Sequence, residues 1–437
     1  MLLPATPVER LREAIRPYYL RHVYFPLRPS CRPPEFVRCW QAPHEFLGGD
    51  PALDIPPPEP SLPDVLFLPM TDWHHRLQRT QQLAVALAGL GRRCFLLNPH
   101  LGREYPAAPW RRRPPALAQL GGRVFEIHAP LRTEPVFHHR LLAPDESHAV
   151  ADAVHWALQR AGTKSLDIIS ALPVWQESAM DLRQRWRALL VYDCHDWLAG
   201  FPNTAPALHA AVPDSIRRSD LVLFCGSGLR DYYGALLPEM ASRFHFVGNG
   251  IPEWPEAPGP RPADPVVGYV GALEEWFWLE AVVEAARRLP RARFVLAGFP
   301  GKQVRDALGM LPNVTLKGEI PSEQVPEFLS GCRVGLIPRS GDLARFMAPI
   351  KVFEYFHFGL PVVSGPMPEL NRFGPLVLQA STPAEFANAV NTALEENDTS
   401  REEARRAEAR AATWRRRAEQ LNQILLESRR SLGLPLS

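Results

Sequence analysis

Lys351 and Glu354 lie three residues apart in the run PIKVFEYFHFGLPVV at positions 349–363. On a helix, side chains at this spacing share one face, so a cation and a carboxylate would be presented together. A carboxylate accepts through two oxygens and could hold both hydroxyls of a ribose. The spacing alone slightly favours a simpler interpretation, an exposed ion pair on the surface.

Two loops that follow predicted strands could bind an anion. In GYVGALEEW, Gly268 and Gly271 would let the backbone approach a phosphate, although glycine after a strand more often makes an ordinary turn. The loop RSGDLARFMAP at 339–349 enters a helix that Pro349 starts, and a helix start favours anions. The cations that could assist there are Arg339, Arg345 and Lys351.

A histidine follows a predicted strand in YDCHDW at 192–197. His195 stands there between two carboxylates, Asp193 and Asp196. An isolated histidine is more often structural than catalytic. Its position at the carboxyl end of a strand makes the two interpretations about equal.

The elements that must position these residues follow an α/β pattern. Short apolar runs alternate with helical spacing from residue 64 onward, which predicts two doubly wound parallel sheets in tandem. Six prolines without periodicity mark a linker at 251–265. The run 400–427 predicts one amphipathic helix. Predicted strands are 64–69, 94–98, 123–127, 166–170, 189–193, 220–224 and 244–247, then 266–271, 293–298, 313–318, 333–338 and 361–364.

The composition excludes several classes of function. A formal net charge of +2 gives no general affinity for nucleic acid. No run is apolar enough to span a bilayer or to form a signal peptide, so we expect a cytoplasmic protein. Arginines near the start and a later triplet leave open a peripheral contact with the inner face of the membrane, although solvated surface charge is the simpler account. These arginines are Arg10, Arg12, Arg16, Arg21, Arg111, Arg112 and Arg113.

The segment from GEIPSEQ at 318 to GLPVVS at 364 resembles retaining family-four (group 1) glycosyltransferases, especially bacterial teichuronic-acid and exopolysaccharide types. VGNGI at 247–251 is similar to the hinge of that family, and TWRRRAEQL at 413–421 to its terminal helix. LPMTDWHHRLQRTQQLAVAL at 68–87 resembles its first strand, loop and helix. The resemblance extends over residues 61–427.

This resemblance implies the GT-B fold, in which two Rossmann-like domains face a cleft. The implied divisions are an N-terminal extension at 1–60, an acceptor domain at 61–250 and the linker at 251–265. A nucleotide-sugar domain follows at 266–398, and a C-terminal helix at 399–437 packs back on the first domain.

The family's functional residues carry over by position. Glu354 matches the glutamate that holds the nucleotide ribose, Gly271 the glycine facing the diphosphate, and 347–349 the phosphate-binding turn. His195 becomes the candidate contact to the transferred sugar, with Asp196 beside it. The resemblance places on the acceptor side Asp72, Trp73, His74, Arg76 and Arg79.

Two departures from the family concern the donor site. Phe346 stands where the family commonly has a first glutamate, eight positions before Glu354. Glu274, Glu275 and Trp276 replace a common arginine and lysine, and two negative charges there would repel a diphosphate. Either Arg339, Arg345 or Lys351 supplies positive charge that offsets these two carboxylates, or the site is degenerate.

The implied reaction is transfer of a sugar from a nucleoside diphosphate sugar, expected to be a UDP-sugar, to a hydroxyl with retention at the anomeric carbon. The acceptor would be a glycan or a lipid-linked precursor. No DxD motif occurs, so we expect neither a metal nor another cofactor. Alternatives are a sugar-nucleotide epimerase and a non-catalytic binding subunit of an active transferase. The lack of a GxGxxG after any predicted strand argues against a nicotinamide dehydrogenase.

Overall fold

A computed structural model describes Ile15 and residues 55–436, except 74–76, 103–114, 202, 256–261 and 274–275. Several predicted features lie outside the described residues. These are most of the N-terminal extension, residues 256–261 of the linker, His74, Arg76, Glu274, Glu275, and the arginines at 10, 12, 16, 21 and 111–113.

The first domain is built on an eight-stranded sheet in the order β3-β4-β2-β1-β5-β6-β7-β8. Every neighbouring pair is parallel except β3 with β4. The strands are β1 Asp64–Leu68, β2 Cys94–Leu97, β3 Ala116–Gly121, β4 Val124–His128, β5 Leu166–Ser170, β6 Leu189–Cys194, β7 Leu221–Phe224 and β8 Phe244–Phe246. Its helices are α1 Arg79–Gly89, α2 Pro144–Arg160, α3 Gln176–Trp186, α4 Pro206–Arg218 and α5 Ser227–Leu236.

The second domain is built on a six-stranded sheet in the order β11-β10-β9-β12-β13-β14, with every pair parallel. Its strands are β9 Val266–Val270, β10 Arg293–Ala297, β11 Val314–Gly318, β12 Val334–Ile337, β13 Val362–Ser364 and β14 Val377–Gln379. Its helices are α6 Leu279–Arg288, α7 Lys302–Leu308, α8 Val325–Ser330, α9 Lys351–His357 and α10 Pro383–Glu395. The chain ends with α11 Thr399–Ala411 and α12 Trp414–Ser431.

Strand β1 shows why the sheets are covered on both sides. All five of its residues are buried, and the four apolar ones alternate between two cores. Val65 and Phe67 pack in the core that contains residues of α1 and α12, whereas Leu66 and Leu68 pack with α2 and α3. Continuous apolar runs of this kind are typical of parallel strands. The predicted α/β class with two doubly wound domains is therefore confirmed.

Two strands, β3 and β14, were not predicted from the sequence. β3 pairs antiparallel with β4 at the edge of the sheet, and its residues alternate from buried to exposed. The turn between them uses positive φ angles of 156° at Gly121 and 52° at Gly122. A short edge strand with this composition carries little apolar signal.

The prediction of a single helix over 400–427 is wrong, because the helix breaks at Ala412 and Thr413. Ala412 accepts a hydrogen bond at 2.8 Å from the amide of Ile251, and Ile251 accepts one at 2.9 Å from the amide of Trp414. Thr413 caps α12 by accepting from the Arg416 amide. α11 packs on α9 of the second domain, whereas α12 packs on α1 of the first. Within the described part of the chain, no helix has the length and apolarity needed to cross a membrane.

Candidate functional site

Helix α9 presents Lys351 and Glu354 on its less buried face. Its other face is anchored, since the Tyr355 hydroxyl donates to the carbonyl of Leu336 in β12 at 2.9 Å. Gly335 gives the Tyr355 ring room, because a Cβ there would lie 2.5 Å from it. The buried residues on the packed face are Val352, Phe353, Tyr355 and Phe356.

The Lys351 ammonium lies directly against the backbone of Gly271. A Cβ on Gly271 would be 2.7 Å from Lys351 Nζ and 2.6 Å from its Cε. Gly271 also has a φ of 140°, which favours glycine. The loop after β9 and the start of α9 therefore meet, which brings Gly271, Lys351 and Glu354 together.

Glu354 carries a partly buried carboxylate that makes no hydrogen bond to any residue in the described ranges. Burial raises the pKa of this carboxyl above its ordinary value, and the charge of Lys351 offsets part of the rise. A desolvated carboxylate gains most from hydrogen-bond donors, which hydroxyls of a ligand could supply.

The two arginines of the 339–349 loop have different surroundings. Arg339 is buried, its guanidinium carbon 5.5 Å from the Trp276 ring centre and its Nη2 3.5 Å from the Tyr269 hydroxyl. Arg345 is exposed, and its guanidinium lies over the ring of Phe346. Lys351 is thus the cation of this group in contact with the Gly271 backbone. Among the described residues, no group of three or more His, Cys, Asp or Glu side chains could hold a metal ion.

The same loop docks against the first domain. Phe346 packs between Trp197 and Tyr232, with ring centres 4.6 Å and 5.5 Å away. A glycine is required at position 228 for the loop to approach α5, because a Cβ there would collide with the carbonyl oxygen of Arg345. Phe346 therefore fills a position between aromatic rings of the other domain.

A second contact joins the domains at the start of α5. Glu369 of the second domain accepts hydrogen bonds from the amide of Ser227 at 2.7 Å and from its hydroxyl at 2.9 Å. A carboxylate at a helix start is favoured by the helix dipole. This contact closes the domains against each other beside the 347–349 turn.

His195 is nearly buried at the end of β6, with 10% of its side chain exposed. Its Nδ1 lies 3.0 Å from the Asp193 carbonyl oxygen and 3.3 Å from the carboxylate, and its Nε2 lies 3.9 Å from the Asp196 carboxylate. Burial lowers the pKa of His195, but the charge and hydrogen bond of Asp193 outweigh it, so the pKa is raised. Burial raises the pKa of Asp196.

Arg79 lies in the interior rather than on an open acceptor surface. It begins α1 and pairs with Asp193 through Nε at 2.9 Å and Nη2 at 3.0 Å. Both side chains are almost fully buried. Burial raises the pKa of Asp193, but Arg79 outweighs it and holds that pKa well below its usual range.

Asp72 and Trp73 lie after β1, and His74 lies outside the described residues. Asp72 contacts His100 of the loop after β2, with its Oδ2 3.0 Å from the imidazole Nε2. Trp73 is half-buried against the core beneath α1.

The sequence analysis did not identify the polar residues at the ends of β2 and β4 as candidate site residues. Their position could have identified them, because polar side chains at the ends of predicted strands are typical of a binding site. The residues are Asn98, His100, Glu126 and His128, of which Asn98 donates to Glu126 at 3.0 Å.

A family described as glycosyl transferase-like matches residues 274–423. This stretch contains the 339–349 loop and α9, and it is less than half of the chain. No curated protein matches the sequence.

Solved structures match nearly the whole described fold. Sucrose-phosphate synthase from Thermosynechococcus elongatus has a TM-score of 0.65 at 16% identity, over 85% of this chain and 99% of that one. HepE from Anabaena, in complex with UDP and glucose, has a TM-score of 0.58 at 16% identity, over 83% and 99%. A UDP-forming trehalose-phosphate synthase from Burkholderia xenovorans has a TM-score of 0.59 at 13% identity, over 85% and 100%. These likenesses show that the chain has the GT-B fold, as predicted.

Proposed function

We propose that this chain is a glycosyltransferase that moves a sugar from a nucleoside diphosphate sugar to a hydroxyl acceptor. One observation carries the proposal: the Lys351 ammonium lies against the Gly271 backbone, one turn from the desolvated carboxylate of Glu354. A cation beside a glycine loop suits a diphosphate, and a carboxylate suits a ribose. The glycosyl transferase-like match over 274–423 supports the same assignment.

The proposed donor is a UDP-sugar. HepE is described in complex with UDP and with UDP-glucose, and the Burkholderia enzyme is described as UDP-forming. Both share the fold of this chain. We also propose that the transferred group is a hexosyl group, that the reaction retains the configuration at the anomeric carbon, and that it needs no metal ion.

The proposed step uses groups of both domains. The bond between the anomeric carbon and the diphosphate oxygen breaks, and the acceptor oxygen bonds to the same face of the sugar. The acceptor proton passes to the leaving phosphate oxygen, so no strong protein base is needed. Lys351 stabilises charge on the departing diphosphate, and His195 contacts the transferred sugar.

The acceptor side is assigned to the first domain, within residues 61–250. The pair of Asp72 and His100 beyond β1 and β2 offers hydrogen-bonding groups to a glycan or lipid-linked hydroxyl. The nucleotide side is assigned to 266–398, and the terminal segment 399–437 returns the chain to the first domain. A cytoplasmic location, with peripheral membrane contact for a lipid acceptor, completes the proposal.

Calorimetric titration with UDP, combined with a panel of UDP-sugars and hydroxyl acceptors, tests this function. We expect UDP to bind and free UDP to be released when a suitable acceptor is added. A chain that binds no nucleoside diphosphate under any condition would refute the proposal.

A second candidate is a binding subunit that retains the donor site but transfers nothing. It is favoured by Phe346, which stands where the related family has a glutamate and is packed between Trp197 and Tyr232. Tight UDP-sugar binding without release of UDP, in the presence of every acceptor tried, would favour this candidate.

A further inference from the structure

A buried chain of polar contacts connects His195 of the first domain with the 347–349 turn of the second. Its centre is Arg79, which donates hydrogen bonds to the Asp193 carboxylate from Nε and Nη2. The remaining nitrogen, Nη1, donates to the Gly248 carbonyl at 3.1 Å and to the Asn249 side-chain oxygen at 3.2 Å. One guanidinium therefore ties the end of β6 to the chain that follows β8.

Asn249 carries the connection across the domain interface. Its Nδ2 donates to the carbonyl oxygen of Ala348 at 2.8 Å, although the two residues are 99 positions apart. Because Arg79 can only donate and the Ala348 carbonyl can only accept, the Asn249 amide has a single favourable orientation. The Ala348 carbonyl thus has a fixed position relative to Arg79.

The other end of the chain orients the imidazole of His195. Both atoms close to Nδ1 are acceptors, the carbonyl and the carboxylate of Asp193. Nδ1 therefore carries a proton, which leaves Nε2 facing Asp196. The charged groups around the ring are Asp193, Asp196 and Arg79, and the Cys225 thiol donates to the His195 carbonyl at 3.4 Å.

Burying an ion pair is a poor way to gain stability. Removing the charges of Arg79 and Asp193 from water offsets most of their attraction, and apolar residues of similar volume would serve as well. A bidentate pair instead fixes direction, because a guanidinium and a carboxylate meet in a planar arrangement.

We propose that Arg79, Asp193 and Asn249 are positioning residues, which hold the His195 imidazole at a fixed orientation and distance from the 347–349 turn. The inference rests on the proposed function, in which a sugar and its diphosphate lie between these two groups. In this proposal Arg79 holds other residues of the site in place from the interior of the protein and does not bind the acceptor.

The first test is Asp193→Asn, with Asp64→Asn as the matched control. Asp64 also forms a buried pair, with Arg93, at the opposite end of the same sheet. Imidazole NMR, assigned with His195→Gln, follows the titration of His195 in each protein. We expect Asp193→Asn to lower the pKa of His195 and to reduce kcat at least tenfold with little change in the donor KM. We expect Asp64→Asn to change neither.

Arg79→Lys provides a second variant if Asp193→Asn does not fold. Lysine keeps the charge but cannot bridge Asp193 and Asn249 with a planar group. We expect an intermediate loss of kcat and a shifted titration of His195. Wild-type titration and kcat in both Arg79→Lys and Asp193→Asn would overturn the proposal, as would equal effects of Asp193→Asn and Asp64→Asn.

Asn249→Asp tests the connection to the turn. A carboxylate cannot donate to the Ala348 carbonyl and would repel it, so we expect UDP affinity to fall at least fivefold. Asn422→Asp is the control, because Asn422 also accepts from a buried arginine, Arg92, at 2.7 Å and that bond survives the change. Equal UDP affinity of Asn249→Asp and wild type would overturn this part. If wild type binds no UDP, the proposed function fails, whereas the titration of His195 still decides the positioning role.

Discussion

Glu354 combines a cost in stability with the proposed gain in binding. The fold raises the pKa of its carboxyl, so the folded chain holds a proton more tightly than the unfolded chain does. Ionisation of Glu354 therefore weakens folding as pH rises through the ordinary and then the raised pKa. Groups with this behaviour are frequent at functional sites, where a ligand supplies the missing partners.

We predict that Glu354→Gln raises the melting temperature at neutral pH while weakening UDP binding. The glutamine removes the buried charge, and it also removes the charged acceptor for ribose hydroxyls. Hydrogen bonds to a charged group contribute about 1.5–3 kcal/mol, so affinity should fall roughly 10- to 150-fold. Calorimetry measures the binding and scanning calorimetry the stability.

The pH dependence separates this effect from a general disturbance. The stabilisation by Glu354→Gln should disappear as pH falls below the ordinary carboxyl pKa, because Glu354 is then protonated in both states. Glu327→Gln on exposed α8 surface is the control and should change neither property. Unchanged UDP affinity in Glu354→Gln would contradict the ribose role.

Gly271 supports a second prediction at the scale of one residue. Gly271→Ala would place a methyl group 2.7 Å from Lys351 Nζ and would strain a φ of 140°. We expect Lys351 to be displaced and UDP affinity to fall at least tenfold, measured by calorimetry. Gly162→Ala is the control, since Gly162 also has a positive φ, 65°, but a Cβ there meets nothing within 4 Å. Equal UDP affinity in the two variants would show that Lys351 and Gly271 do not act together.

Among the elements, the 339–349 loop couples the donor side to the first domain. Leu343 and Phe346 both contact first-domain residues, and a Cβ on Gly200 would lie 2.5 Å from Leu343 Cδ1. Close packing of this kind tolerates only small residues at the contact. The loop that precedes α9 is therefore held by both domains.

We predict that Gly228→Ala forces this loop away from α5 and opens the cleft. An added Cβ would collide with the Arg345 carbonyl, which is backbone and cannot rotate away. Small-angle scattering should show a larger radius of gyration, and Trp197 should become more accessible to a fluorescence quencher. Gly234→Ala in the same helix is the control, because its nearest neighbour is 4.0 Å away. Identical scattering from the two variants would contradict the prediction.

The sequence predicted elements better than contacts between them. Buried parallel strands such as β1 are continuous apolar runs, and most predicted strand ranges overlap the observed ones. The break at Thr413 escaped prediction because the backbone of Ile251, far away in sequence, stabilises it. Likewise, nothing local to Arg79 reveals that its partner is Asp193, 114 residues later. The candidate site could be predicted where it rests on one helix, and not where distant segments assemble it.

On the scale of the whole molecule, the chain passes between the domains twice at one place. Residues 250–251 and 412–414 lie side by side, and a Cβ on Gly250 would be 2.9 Å from the Ala412 oxygen. The two passages hydrogen-bond to each other through Ile251. Any relative movement of the domains must therefore bend both passages together.

Helix α12 completes the first domain through a buried arginine. Arg429 Nη1 donates to Asp167 in β5 at 2.6 Å, and Arg92 shares the same carboxylate at 2.7 Å. Arg429 also donates to the Leu166 carbonyl at 2.9 Å and to the Ser165 hydroxyl. The last helix is thus attached to the centre of the first sheet.

We predict that Arg429→Ala destabilises the chain by about 3–5 kcal/mol, the usual cost of breaking a buried ion pair. The loss has two sources, a cavity where the arginine stem packed and a Ser165 hydroxyl and Leu166 carbonyl left without their donor. Arg430→Ala, at the exposed neighbouring position, should cost less than about 0.5 kcal/mol. Chemical denaturation of both variants measures the difference.

Because α12 belongs to the core of the first domain, Arg429→Ala should lower the stability of that domain. UDP binding should be unchanged at temperatures where the chain stays folded. Equal stability of the two variants would mean that the first domain holds together without its C-terminal helix.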